Sequence, residues 1–495
     1  MVDRRVECRA LLATCRPAWV AGHGDQAWAA LDEAGQYVVG DDGLQLEVLS
    51  MRAGLHLLAE QLPQALRCAE QASMLGHQLL DGGTGLDHAT AEALADARVT
   101  VASMTVDGSH PASSMRLIDA LVVLDQVAYD PSLTRTTTAA RAVNNALNLR
   151  IHALQHRLHT IEGRVEAWVR ISEARTLLHG WPDQGTVLRQ AVDVGMTCGQ
   201  WERAWSNAQE QIADTTQRNE LIAVLSKAAV LAWHANRREE ARGLGERARS
   251  LSVAVDHPWV RTYAYLGHVA AAAAGAGSLE AALQAYARCT SRAGHATRPH
   301  RAWQAAQIAL ESGHSPDDVE EFLAATLPDG LGDLEQHVRV LIADARRQDV
   351  EPAAALDLLQ PSRSGPDRAR VHLALARTYR RQGRPTASAS KLERARALLD
   401  TWPGWLHDQV EHEAALVQQP VLATPAQHRV LALTAEGHSN LEIADALDLS
   451  ERTVAVHIAA MLRANGLASR TALAARHLRA AAHPSQADLA TRSGS

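Results

Sequence analysis

Small residues recur along this chain at nearly regular intervals, and this recurrence constrains the fold more than any other feature. Each follows a turn residue by about five positions, and a second small residue often lies seven positions further on. The nine marked positions are Ala27, Ala65, Ala167, Ala204, Ala241, Ala282, Val319, Ala355 and Ser388. Successive positions lie 33 to 41 residues apart, except for one interval of 102, about three times 34. Because small side chains let neighbouring helices approach closely, the spacing predicts packed helical pairs.

The composition favours the same class of fold. Of the 495 residues, 93 are alanine and only 4% are aromatic. Alanine is the best helix former, and the β-branched residues typical of strands are not enriched. We therefore expect an all-α protein, which disfavours sandwiches, barrels and propellers. The net charge of −7 excludes a uniformly basic protein that coats nucleic acid, although one DNA-binding module could lie within an acidic average.

The clearest repeat is LALARTYRRQGRPTASASKLERARALL, in which Leu375 and Tyr379 line one helix and Gly383 makes the turn. It resembles a tetratricopeptide-type unit, and the resemblance covers roughly residues 8–400. It implies an α-solenoid whose groove receives a peptide, protein or small-molecule signal. The Trp-Leu-Gly-Tyr signature of that family is not kept, so an irregular helical bundle of similar composition is the alternative.

Beyond residue 417 the pattern changes to four short helices, each opened by a capping residue. Thr424 and Gln427 form one capping box, with Pro425 at the first helical position. Ser439 and Glu442 form a second capping box. The two remaining caps are Ser450 and Ser469, and the helices end near Gly437, Leu447 and Gly466. Two short helices joined by a tight turn are a helix-turn-helix candidate.

The spacing of these caps and of the apolar positions closely resembles the LuxR/FixJ-type DNA-binding domain over about 60 residues. The matching residues are Thr424, Pro425, Val430, Leu431, Glu436, Gly437, Ser439, Asn440, Glu442, Ile443, Ala444, Leu447, Ser450, Glu451, Thr453, Val454, His457, Leu462, Gly466, Ser469 and Arg470. The resemblance implies that Glu451–Ala464 is a recognition helix lying in the major groove. It also implies that a fourth helix, about 470–481, makes a dimer contact, so that two copies bind an inverted repeat.

The resemblance assigns two sets of functional residues. The expected DNA contacts are Ser450, Arg452, Thr453, Ala455, Val456, His457, Ala459, Arg463, Ser469 and Arg470. The expected dimer contacts are Leu473, Arg476 and His477. Ser450 and Thr453 would present hydroxyl groups and a helix N-terminus to phosphate.

The groove-facing surface departs from the family pattern. Ala455 stands where the family usually has lysine, Val456 where it has a hydroxyl residue, and Ala459 and Ala460 where it often has a polar pair. Few of the remaining side chains can make bidentate contacts with bases. Residues 421–480 hold six arginines against five acidic residues, a net charge of +1. Despite these departures, the resemblance as a whole predicts a dimeric, promoter-binding transcriptional regulator. A protein-interaction scaffold with a degenerate helix-turn-helix remains the alternative.

Other functional sites are not expected. A P-loop is excluded because neither Lys227 nor Lys391 follows the required glycines, so the chain resembles MalT-like regulators without their ATP-binding domain. No catalytic constellation is visible, and we expect neither enzymatic activity nor a cofactor. His152, His156 and His159 could cluster on one helix, but without a carboxylate or thiolate from elsewhere we expect no metal site.

We predict three segments: a helical sensor domain over residues 1–415, a DNA-binding domain over 416–482, and a disordered tail over 483–495. The N-terminal sequence lacks the apolar core of a signal peptide, and no apolar stretch is long enough to cross a bilayer. The five cysteines are scattered and include no CxxC pattern. We therefore expect a cytoplasmic protein without a membrane partner.

Overall fold

The computed structural model describes most of the chain, and every regular element in the described ranges is helical. These ranges are 4–20, 23–59, 61–83, 85–104, 115–154, 157–158, 160–181, 185–215, 218–253, 255, 258–290, 298–327, 334–359, 364–399, 401–418, 421 and 423–482. The predicted tail at 483–495 lies outside the described residues.

The chain divides into two compact units, Met1–Gly332 and Asp333–Ser495. The helices of the first unit are α1 (Arg4–Val20), α2 (Gly24–Ala34), α3 (Asp42–Leu58), α4 (Leu62–Asp81), α5 (His88–Met104), α6 (Met115–Ala128), α7 (Thr137–Ala153), α8 (Ile161–Leu177), α9 (Gly185–Thr197), α10 (Trp201–Asp214), α11 (Arg218–His234), α12 (Arg238–Ser252), α13 (Pro258–Ala273), α14 (Leu279–Thr290), α15 (Arg298–Glu311) and α16 (Pro316–Thr326). The helices of the second unit are α17 (Glu335–Ala345), α18 (Pro352–Leu356), α19 (Gly365–Arg381), α20 (Pro385–Leu398), α21 (Trp405–Gln418), α22 (Pro425–Ala435), α23 (Asn440–Leu447), α24 (Glu451–Ala464) and α25 (Arg470–Ala482).

Within each unit, successive helices pack as pairs. In the first unit α1 packs on α2, α3 on α4, α9 on α10 and α11 on α12. The first helices of neighbouring pairs also touch: α3 contacts α5, and α11 contacts α13. In the second unit α19 packs on α20 and contacts α17 and α21. Each of these pairs therefore contacts the next through both of its helices, since α4 also packs on α5 and α12 on α13.

The marked small residues lie where neighbouring helices meet. All nine stand on the second helix of a pair, and each has 0% solvent exposure. Among the residues seven positions further on, the buried ones are Ala34, Ala72, Ala174, Gln211, Ala248, Thr326 and Ala395. Cys289 is half-buried, and Ser362 lies outside the described residues. The nine marked positions are therefore all buried at contacts between helices.

The division into units falls at a different place from the predicted boundary at 415/416. Helices α17–α21, which precede that boundary, share the second unit with α22–α25. The reason is that α25 packs on α20 and α21 as well as on α22 and α24. None of the helices that the structure describes is both long and apolar enough to cross a membrane.

A buried histidine makes the second unit sensitive to acid. His372 lies in α19 with 6% of its surface exposed, and its Nδ1 has no hydrogen-bond partner. Burial, aided by the cations Lys391, Arg394 and Arg368, lowers the pKa of His372 to about 4. An unfolded histidine titrates near 6.5. The folded state therefore binds fewer protons than the unfolded state between these two values, and stability is lost as the pH falls through this window.

We expect the free energy of unfolding to fall by up to about 3 kcal/mol between pH 7 and pH 4 because of this one group. Replacing His372 by glutamine should flatten that dependence, measured by denaturant unfolding at a series of pH values. His407→Gln, at an exposed histidine of the same unit, is the matched control and should leave the dependence unchanged. An equally steep dependence in His372→Gln would contradict this assignment.

Candidate nucleic-acid interface

Helices α22–α25 share a small core of their own. It contains Val421, Val430, Leu431, Ile443, Ala444, Val454, Ile458, Met461, Leu467, Ala472 and Leu473. The two predicted capping boxes are present: Thr424 with Gln427 opens α22, and Ser439 with Glu442 opens α23. Each box satisfies backbone N–H groups that the first helical turn leaves without partners. Local sequence thus fixes where these helices begin.

A three-residue turn joins α23 to α24. Asp448 has a φ of 54°, the left-handed conformation that aspartate tolerates better than most residues. Ser450 then caps α24, its Oγ accepting the backbone N–H of Thr453 at 3.1 Å. Leu449, the apolar residue of this turn, does not enter the core, since 37% of it is exposed. Because Asp448 turns the chain sharply, the side chain that follows it points outward.

One face of α24 is open to solvent, and most of the predicted DNA contacts lie on it. Its exposed residues are Arg452, Ala455, Val456, Ala459 and Arg463, with the acidic Glu451 at its N-terminal end, and His457 is half-buried beside them. Val456 is 57% exposed. The buried residues Val454, Ile458 and Met461 form the opposite face, as the helical period requires. The face offers two guanidinium groups, one imidazole and a strip of methyl groups, which are able to contact phosphates and thymine methyls.

The N-terminus of α24 carries the predicted hydroxyl pair. Ser450 Oγ and Thr453 Oγ1 lie 2.7 Å apart and share a hydrogen bond. Ser450 is exposed and Thr453 is half-buried. The pair therefore braces the first turn of the helix while leaving hydroxyl oxygens at its surface. A phosphate oxygen at this point would meet the positive end of the helix dipole.

Two predicted DNA contacts have partners within the protein. Arg470 donates to Asn440 Oδ1 at 2.6 Å and to the carbonyl oxygen of His438, which ties the start of α25 to the start of α23. Ser469 caps α25, with its Oγ accepting the backbone N–H of Ala472 at 3.2 Å. In this arrangement both side chains hold the four helices together.

The predicted dimer residues are mostly inside the protein. Leu473 is fully buried in the shared core, and Arg476, 5% exposed, donates to the carbonyl oxygen of Asn465 at 3.4 Å. His477 is half-buried, with its ring 6.4 Å from that of His428. Burial, together with the neighbouring His428, lowers the pKa of His477. Only His477, of the three, reaches the surface in this arrangement.

The start of α25 lies against the turn between α19 and α20, a contact that sequence reasoning missed. The backbone N–H of Ala468 donates to the carbonyl oxygen of Arg381 at 3.0 Å. A Cβ at Gly383 would lie 2.3 Å from Ala472 Cβ and 2.5 Å from Ala472 Cα, so only glycine fits there. The sequence marked Gly383 as a turn residue, but a turn glycine carries no signal of what packs against it.

The free positive charge of this region is small. Arg429, Arg452 and Arg463 are exposed, and none forms an ion pair with a carboxylate of the described residues. Arg470 and Arg476 are occupied by internal hydrogen bonds. Among the arginine side chains that the structure describes in this domain, about three are thus available to phosphate groups.

Of the three spaced histidines, only His152 lies within the described residues. α7 ends at Ala153, just after His152, and His156 and His159 lie outside the described residues. Across the described ranges, no three His, Cys, Asp or Glu side chains are placed to hold a metal ion.

Comparison with protein families bears on the same four helices. Residues 423–476 match the family model described as bacterial regulatory proteins, luxR family. The match spans α22, α23 and α24 and the first part of α25. A comparison of the chain with curated proteins gave no match. The C-terminal region therefore carries a LuxR-family helix-turn-helix domain, which supports a DNA-binding transcriptional regulator.

Proposed function

We propose that this protein is a signal-responsive transcriptional regulator that binds promoter DNA as a dimer through α24. The observation that carries the proposal is the exposed face of α24, held open within a domain that matches the luxR family. A helix of this length presents three to four side chains to base edges in a major groove. In the proposed complex these are Arg452, Val456, Ala459 and Arg463. The protein acts where promoter DNA is, in the cytoplasm.

The proposed sensor is the tetratricopeptide-like helical region before α22. Its support is the burial of all nine marked small residues on second helices, together with the contacts between first helices of neighbouring pairs. Helical repeats of this kind expose extended surfaces to peptides, partner proteins or small ligands. We propose no catalytic step, cofactor or metal for either region.

The proposed coupling runs through α25. In the family that this domain resembles, the fourth helix makes the dimer contact, yet here α25 packs on both sides, against α22 and against α20 and α21. We propose that this is the restrained state, in which the α19–α20 turn withholds α25 from a second copy. A signal that favours the state in which α25 is released from α20 and α21 would shift the population toward the dimer that binds DNA.

One observation favours a second candidate function, a protein-interaction scaffold. Ala455, Val456 and Ala459 fill the centre of the α24 face with methyl groups, which form no hydrogen bonds with bases. A scaffold would use the same face for a protein partner. It would then show no DNA binding of the salt-dependent kind that counterion release produces.

The dependence of DNA affinity on salt separates the two candidates. With about three available arginines per domain, a dimer should show a slope of log K against log [salt] near −5, at roughly −0.9 per phosphate contact. Fluorescence anisotropy of the full-length protein with a labelled duplex, from low to physiological salt, measures it. Saturable binding with this slope supports the regulator. No binding at the lowest salt, either by the unaltered protein or by Gly383→Ala, would favour the scaffold.

A further inference from the structure

Six turns that join the two helices of a pair share one backbone feature. The second residue after the first helix has a positive φ, a conformation that brings Cβ too close to the following carbonyl oxygen. The residues and their φ values are Gly199 (72°), Asn236 (59°), Gly275 (101°), Gly313 (85°), Arg347 (58°) and Gly383 (74°). Glycine and asparagine tolerate this conformation. Arginine does not, so Arg347 is the exception.

The left-handed backbone of Arg347 therefore lowers the free energy of unfolding, and such strain often marks a functional site. The turn gives no reason for the residue, since its side chain is exposed and its guanidinium has no hydrogen bond or ion pair with the described residues. A glycine here would make the same turn without strain.

The side chain of Arg347 lines a cleft of about 610 Å³ in the second unit. The cleft lies among α17, α19 and α21 and reaches Gly466, in the loop between α24 and α25. Its charged lining residues are Asp344, Arg347, Arg377, Arg380, Arg381 and Glu413. Arg381 also pairs with Asp349, just outside the lining, at 3.1 Å, so four arginines against three carboxylates leave an excess of one positive charge.

The two carboxylates of the lining are already engaged by other arginines. Asp344 Oδ2 accepts from Arg377 at 2.7 Å. Glu413, 2% exposed, accepts from Arg380. Arg347 is thus left facing the cleft without an acidic partner among the described residues. An uncompensated guanidinium at the edge of a cleft favours an anion, and the planar fork of arginine matches the two oxygens of a carboxylate or phosphate.

Asp344 adds a second feature. Its side chain is only 10% exposed, and its Oδ1 has no hydrogen-bond donor. A buried acceptor without a donor is costly, and a ligand that carries a hydroxyl or amino group beside its anionic group would supply one after a small adjustment of the lining.

We propose that this cleft is a binding site for a small organic acid or phosphate, with the guanidinium of Arg347 as the contact for the oxyanion. Arg381 lines the same cleft, and its carbonyl oxygen accepts the N–H of Ala468. An occupied cleft would therefore act directly on the contact that holds α25. This regulatory consequence rests on the proposed function, whereas the binding site itself does not.

Isothermal titration of the full-length protein in the absence of DNA tests the site. The probes are malate, succinate and inorganic phosphate, with sodium chloride at equal ionic strength as the reference. Malate differs from succinate by one hydroxyl group, so tighter binding of malate than of succinate would indicate a hydrogen bond to Asp344 Oδ1. We expect saturable binding of at least one oxyanion, and we expect Arg347→Gly to weaken it at least tenfold. Because glycine relieves the strained turn, the melting temperature of Arg347→Gly should not fall.

Asn236→Gly is the matched control. It makes the same backbone change at the equivalent turn after α11, in the first unit, and should leave oxyanion binding unchanged. Phosphate binding without carboxylate binding would assign the site to phosphate esters, and the reverse result would assign it to organic acids. The proposal is overturned if no oxyanion binds beyond the effect of chloride, or if Arg347→Gly binds as tightly as the unaltered protein.

Discussion

Replacing Val456 by glutamate is expected to weaken DNA binding by at least about 100-fold. Val456 lies in the centre of the exposed face of α24, and a carboxylate at this point would face the phosphates and base edges of the groove. Like-charge juxtaposition across an interface costs several kcal/mol. The fold should tolerate the change, because the side chain is 57% exposed and glutamate is a good helix former.

Val456→Thr is the matched control for this prediction. Threonine has nearly the same shape as valine, and its hydroxyl group is compatible with a groove, so affinity should stay close to that of the unaltered protein. Anisotropy with a fixed duplex measures both variants, and circular dichroism verifies that they are folded. If Val456→Glu bound DNA normally while binding kept its salt dependence, α24 would not be the recognition helix.

Replacing Gly383 by alanine is expected to raise the DNA affinity of the full-length protein by about tenfold, within the usual range of coupling energies between sites. The new Cβ would lie 2.3 Å from Ala472 Cβ and 2.8 Å from the backbone nitrogen of Ala472, so the helix itself would have to move. The hydrogen bond from Ala468 to Arg381 would then be lost. Both changes free α25 for a second copy, so sedimentation should show more dimer at the same protein concentration.

Gly313→Ala separates this effect from backbone strain. Gly313 occupies the equivalent turn after α15 with a φ of 85°, and a Cβ there would meet nothing within 4 Å. Both variants pay the cost of alanine in a left-handed conformation, but only Gly383→Ala disturbs α25. Equal DNA affinities in the two variants would show that the α19–α20 turn does not restrain the helix-turn-helix domain.

Much of the C-terminal domain could be predicted because its determinants are local. The caps Ser439 and Ser450 each bond a backbone N–H three residues on, and such bonds depend on sequence spacing alone. The predicted limits of α24, Glu451 and Ala464, are therefore those observed. The marked small residues lie on packed faces for a related reason, since helical period and residue size together define which side of a helix packs.

What could not be predicted depends on contacts between residues far apart in sequence. Arg470 has the spacing expected of a DNA contact, yet its guanidinium is held by Asn440 and His438. The resemblance assigns Leu473 to the dimer contact, whereas in the structure it is buried in the core. Arg347 carries no sequence signal at all, because its strain becomes visible only when its φ is known.

The most direct test of the central claim is selection of bound duplexes from a random library, with the full-length protein and with Gly383→Ala in parallel. We expect a short inverted repeat to be enriched, more strongly by Gly383→Ala, and we expect Val456→Glu to enrich nothing. Enrichment of no sequence by either form at low salt would contradict a promoter-binding regulator. It would leave the exposed face of α24 as a surface for a protein partner.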